Sequence, residues 1–134
     1  MEQNTPHANT GTPAYALGYL RDVRFGEEII DYLQRIDETL APFGGRFLVH
    51  GGRLTPLEGA WDGDLVVIAF PDQDAATGWY ASPGYQEILG LRTSNSNSIA
   101  AVVEGVPAGY RAVDGLAEML REGAGDKTGE QAAR

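Results

Sequence analysis

Cysteine is absent from this 134-residue chain. That excludes disulfides, thiolate catalysis, zinc fingers and iron–sulfur clusters, and it fits a reducing compartment. Positive charge is scarce. Ten Lys and Arg against nineteen Asp and Glu give a formal net charge of −9 and a pI near 4.5. No basic patch competes with that field, which argues against nucleic acid and against anionic membrane surfaces as partners. No apolar run approaches the ~20 residues that cross a bilayer. Residues 1–12 lack the basic start and apolar stretch of a signal peptide. The expectation is a soluble cytoplasmic protein.

Histidine is nearly absent too, with two in the chain, and His50 is the one inside the region expected to fold. His50 and Glu58 with one further, distant His make no credible metal set. Glu58, Asp62 and Asp64 lack the spacing of a calcium loop and read as solvated turn formers. The pairs Gly44-Gly45 and Gly51-Gly52 lack the following Lys and the strand-to-helix context of a phosphate loop. No metal and no cofactor are expected.

What is present alternates between two periods. Residues 14–20 read as a strand with Tyr15, Leu17 and Tyr19 on one face. Ala14, Ala16, Gly18 and Leu20 form the other, a small-residue face that something approaches closely. From about Gly26 to Phe43 the spacing is helical, with Ile29, Leu33, Ile36, Leu40 and Phe43 as one stripe. Glu27 and Glu28 favour the positive end of the helix dipole, and Gly44 is placed to end the helix left-handed. Arg46 to His50 is a second strand. Gly51-Gly52 reads as a bend in one long strand running on through 53–58, or as a hairpin turn. Residues 65–70 are a third strand, apolar on both faces. Asp72 caps a helix over about 73–81, and Ser82-Pro83 restarts another. Residues 94–98 are a polar connector, 99–104 a fourth strand, and 113–121 a short helix.

The order strand, helix, strand, strand, helix, strand gives an α+β fold. It is a ferredoxin-like plait with a four-stranded antiparallel sheet and both helical regions on one face. Residues 1–12 read as a disordered arm, 13–106 as the domain, and 107–134 as an extension with a short helix and a disordered tail. Strands three and four are apolar on the side the helices leave bare. A second copy of the sheet is the simplest cover, so a symmetric homodimer is expected.

The chain resembles domain-of-unknown-function family 1330, within the dimeric α/β-barrel superfamily. The resemblance rests on Phe43-Gly44-Gly45-Arg46-Phe47-Leu48-Val49, Gly51-Gly52, Leu57-Glu58-Gly59 with Trp61, and Val67-Ile68-Ala69-Phe70-Pro71. It continues through Ala75-Ala76, Trp79-Tyr80-Ala81-Ser82-Pro83 with Tyr85, Arg92, and Val103-Glu104-Gly105. It implies the same plait and dimer but names no reaction. Position 50 is His where Arg is common in similar proteins.

By strict alternation Arg46, Leu48 and His50 share a face. His50 is either a general acid or base, since imidazoles titrate near neutrality, or a hydrogen-bonded strand-end residue. Arg46 either grips a substrate carboxylate or pairs with Glu58 or Glu104. Trp79 reads as core. Tyr80, Tyr85 and Arg92 are candidate lining for a cleft between sheet and helices, where relatives in the superfamily hold small ligands. Two functions follow. One is a cofactor-independent monooxygenase- or isomerase-like enzyme, with His50 as acid/base and Arg46, Tyr80 or Tyr85 orienting a small organic substrate. The other is a non-catalytic ligand-binding, accessory or stress protein.

Overall fold

The computed structural model describes residues 11–125. The arm expected at 1–12 and the tail expected at the end of the 107–134 extension fall almost wholly outside that range. Four strands, β1 (Ala14–Arg21), β2 (Arg46–Val49), β3 (Asp64–Phe70) and β4 (Asn97–Glu104), form one sheet. Its order is β2-β3-β1-β4, with every neighbouring pair antiparallel. Helices α1 (Glu27–Leu40), α2 (Gln73–Ala81) and α3 (Pro83–Thr93) carry the core, and α4 (Leu116–Gly125) follows a 3-10 turn near the C-terminal end. This is the expected ferredoxin-like plait.

The local causes are those the sequence advertises. Asp72 accepts the Ala75 amide at 2.9 Å and caps α2. Ser82 accepts the Tyr85 amide and caps α3, with Pro83 in its first turn. A 3-10 turn at Ala41–Phe43 closes α1, and Gly44 leaves it at φ 71°, where a side chain would be strained. Gly45 has no room for a methyl group. A Cβ there would lie 2.7 Å from Phe70 and 2.8 Å from Leu40.

The core lies between the sheet and α1–α3. It holds Ala14, Ala16, Tyr32, Ile36, Leu40, Ile68, Phe70, Trp79, Tyr85 and Ile88. Burying each large member stabilises the fold by about 1.5–3 kcal/mol. Trp79 is core, as expected, and donates its indole N–H to Thr39 Oγ1 at 2.9 Å.

Three expectations are corrected. The stripe of α1 buries Ile29, Tyr32, Ile36 and Leu40, while Leu33 is partly exposed. Tyr32 and Leu33 both fit a three-four spacing, and the helix is rotated so that Tyr32 points inward. Secondly, no strand runs through 53–58. Gly51 turns left-handed at φ 80°, and an irregular loop follows to Gly63. That loop is tied down where the Tyr19 hydroxyl donates to Asp62 at 2.6 Å and accepts the Asp62 amide at 2.8 Å. Asp62, expected as a solvated turn former, is thus the loop's anchor.

The third correction bears on the site. β2 pairs Phe47 with Ile68 and Val49 with Val67, so Leu48 is an extra residue, a β-bulge. The bulge breaks strict alternation. Arg46, Leu48 and His50 do not share a face, because His50 falls on the side of Phe47 and their rings stack at 4.7 Å.

Candidate functional site

The inner face of the sheet is paved with small residues where its middle rows cross. Gly18 of β1 pairs with Val66 of β3 on one side and Ala100 of β4 on the other. The space these side chains leave is not filled by the helices. A cleft of about 410 Å³ remains, floored by Ala16, Gly18, Val66, Ile68, Ala100 and Val102. α1 contributes Ile29, Tyr32, Leu33 and Ile36, α2 contributes Thr77, Trp79 and Tyr80, and α3 contributes Tyr85 and Arg92. Phe47 and His50 line it from the β2 side. The small-residue face read from β1 therefore makes room for an opening rather than for a tight contact.

Four of the five residues singled out from the sequence meet here. His50, Tyr80, Tyr85 and Arg92 all line the cleft. Arg46 does not. It lies on the opposite face of the sheet, in a shallower depression with Tyr15, Leu48 and Ala69. Among the described residues Arg46 forms no ion pair, so the partnership with Glu58 or Glu104 is absent within the single chain.

The polar part of the cleft is a chain of hydroxyls ending on a guanidinium. Tyr32 and Tyr85 share a hydrogen bond, oxygen to oxygen, of 2.6 Å in the core. Arg92 Nη2 donates to the Tyr85 hydroxyl at 3.3 Å, and Nη1 donates to Ser98 Oγ at 2.7 Å. Arg92 is only 8% exposed. Burial and the neighbouring Tyr85 push the Tyr32 phenol well above the ordinary tyrosine range. Burial works against the Arg92 charge, but Tyr85 and Tyr32 outweigh it and the guanidinium stays firmly protonated. Ser98 sits on β4 opposite Leu20 of β1, which fixes Arg92 between α3 and the sheet.

His50 stands across the sheet from this group, just past β2, while Ser98 is on β4. Three strand spacings of about 4.8 Å separate those strands. His50 is exposed at the cleft mouth and forms no side-chain hydrogen bond with another described residue. No carboxylate among the described residues orients its ring. Tyr80 is partly exposed, with its ring 5.5 Å from that of Tyr85. Two members of the site escape the sequence reading. The helical stripe takes in Leu33 rather than Tyr32, although the spacing of Tyr32 from Ile29 and Ile36 is an available signal. Ser98 falls in the expected polar connector, one residue before the expected strand. Among the described residues no group of His, Asp or Glu is arranged to hold a metal ion. No described helix is long and apolar enough to cross a membrane.

The family model described as a domain of unknown function, DUF1330, matches residues 13–106. Among solved structures, a protein of unknown function from Rhodopseudomonas palustris is 19% identical, with 72% of this chain and 84% of that chain covered and a TM-score of 0.56. A dimeric ferredoxin-like protein of unknown function from Jannaschia sp. CCS1 is 15% identical over 68% of this chain and 97% of that one, at a TM-score of 0.52. Another dimeric ferredoxin-like protein of unknown function, from Thermobifida fusca YX, is 12% identical over 78% of this chain and 100% of that one, at 0.50. Likeness at these identities shows a common fold. No curated protein matches the chain.

Proposed function

The chain belongs to the DUF1330 family, and we propose that it binds a small organic molecule in the cleft between sheet and helices. One observation carries this reading. An apolar opening of about 410 Å³ coincides with the convergence of Tyr80, Tyr85, Arg92 and His50. Ligand sites are typically concave, mostly apolar and furnished with a few converging polar groups. His50 has no hydrogen-bonding partner among the described residues to orient its imidazole, which favours binding over catalysis, since a general base is normally oriented by a third group. The test is a thermal-shift and calorimetry screen with small aromatic and aliphatic compounds. Stabilisation that is lost on filling the floor with Gly18→Leu supports the reading. A Gly18→Leu protein that folds and binds as well as the parent removes it.

A second reading rests on His50 lining the cleft beside Phe47. In it the protein is a cofactor-independent monooxygenase- or isomerase-like enzyme, with His50 moving the proton. It requires turnover of a bound compound that His50→Ala abolishes while binding survives.

The working unit we propose is a homodimer through the bare face of the sheet. That face presents Ile99 at 68% exposed, Leu48 at 47% and Val103 at 46%, apolar groups that a lone chain would leave in water. The similar proteins from Jannaschia and Thermobifida are described as dimeric. Light scattering on Ile99→Glu, expected to halve the mass, tests this. A monomeric parent would end it.

A further inference from the structure

The polar end of the cleft has hydrogens to give and too few acceptors to take them. Arg92 carries five N–H donors. Two are used, on Ser98 Oγ and on the Tyr85 hydroxyl, and the Tyr32 oxygen is near enough to stabilise the cation as well. No carboxylate lies within ion-pairing distance of it among the described residues, in a chain with nineteen acidic side chains. Tyr32 and Tyr85 hold two phenolic hydrogens between them. Their mutual bond uses one, whichever oxygen donates, and the other has no acceptor among the described residues. A buried cation normally has its charge balanced by a partner. Here the partners among the described residues are neutral hydroxyls, and the rest of the cleft lining is mostly apolar.

We propose that the ligand is a small organic monoanion, a monocarboxylate or equivalent oxyanion on a compact apolar body, with its anionic oxygens against Arg92, Tyr32 and Tyr85. The assignment rests on the cleft being a ligand site and goes on to name the ligand's class. A single guanidinium balances one negative charge, which favours a carboxylate over a phosphate dianion. The planar fork of Arg accepts a carboxylate by two parallel bonds. The free phenolic hydrogen adds a third donor to the same oxygens. The apolar body would lie over Gly18 and Ala100 towards Tyr80. His50, three strands away at the cleft mouth, is too distant to compete for the anion.

The test compares charged and neutral isosteres on the full-length protein. Calorimetry is run with benzoate, 1-naphthoate and octanoate, with 1-naphthamide as the neutral match, and with inorganic phosphate. At least one carboxylate is expected to bind about tenfold or more tightly than 1-naphthamide, since charge-assisted bonds exceed neutral ones. Arg92→Gln should erase that ratio and Arg92→Lys should restore part of it. If the Arg92 variants fail to fold, the ratio in the unaltered protein still decides. Equal affinity for 1-naphthoate and 1-naphthamide overturns the anion assignment and leaves the binding cleft standing. Inorganic phosphate binding as tightly as the carboxylates overturns the apolar body. No binding by any probe overturns both the assignment and the cleft reading beneath it.

Discussion

Removing one oxygen atom from the core should test whether the Tyr32–Tyr85–Arg92 chain is real. Tyr85→Phe keeps the ring, which is 2% exposed, and deletes the hydroxyl that two neighbours use. The lost bond to Tyr32, at 2.6 Å, is between neutral groups and is worth about 1 kcal/mol net. The bond from Arg92, at 3.3 Å, is long. It belongs at or below the lower end of the ~1.5–3 kcal/mol typical of charged partners. Water entering the cleft can take the freed Arg92 donor, so the full cost of an orphaned charge is not incurred. The sum is about 2 kcal/mol, which lowers the melting midpoint by roughly 5–10 °C in a domain of this size. Urea unfolding at one fixed protein concentration is the assay, because any self-association would otherwise enter the midpoint. Tyr80→Phe is the control. Its hydroxyl has no described partner, and its loss should cost less than about 0.5 kcal/mol. A Tyr32→Phe, Tyr85→Phe double-mutant cycle should return about 1 kcal/mol of coupling. A Tyr85→Phe protein as stable as Tyr80→Phe, with no coupling in the cycle, would refute the network and weaken Arg92 as a held donor.

Two further outcomes follow from the same packing. Gly45→Ala forces a methyl group within 2.8 Å of both Leu40 and Phe70, which are themselves nearly fully buried. Overpacking should cost about 1–3 kcal/mol, measured by urea unfolding, and an unchanged midpoint would contradict so close an approach. Tyr32 sets a pH dependence. Its folded pKa is raised, by burial first and then by Tyr85, so the folded protein keeps a proton that the unfolded chain gives up. The stabilisation is complete below the unfolded value of about 10 and is lost as pH rises beyond it. The unaltered protein should therefore lose stability more steeply than Tyr32→Phe above about pH 10, and parallel curves would count against burial of this phenol.

The architecture is legible in the sequence because its signals are local. The period of α1, the cap at Asp72, the Ser82-Pro83 restart and the doubly apolar run at 65–70 each act within a few residues. Together they leave few topologies. The site is legible in part. Tyr80, Tyr85 and Arg92 fall on the sheet side of α2 and α3, so an expectation drawn from helical position places them in the cleft. Tyr32 is hidden by a one-residue ambiguity in helix phase, which only packing against Tyr85 resolves. Ser98 is hidden because β4 begins at Asn97, paired with Arg21, two residues before its apolar run. Arg46 is misplaced for a different reason. A strand residue shows its two neighbours by alternation but not which side the helices will cover.

His50 presents the sharpest case, because it reaches the cleft by a route that alternation forbids. With Leu48 bulged out, Leu48 and Val49 both lie on the bare face and His50 returns to the side of Phe47. Deleting Leu48 therefore has an unusual expected result. The strand would become regular, with Phe47 inward, Val49 outward and His50 still inward. In an unbulged strand the same deletion would carry His50 from one face to the other. The Phe47–His50 ring contact, followed by NMR through ring-current shifts and nuclear Overhauser effects, should persist in the deletion variant. Stability should change by no more than about 1 kcal/mol, since the residue removed is half exposed and is the unpaired one of the bulge. Loss of the ring contact on deletion would show that the strand does not become regular past Phe47 and that His50 needs the extra residue to turn inward.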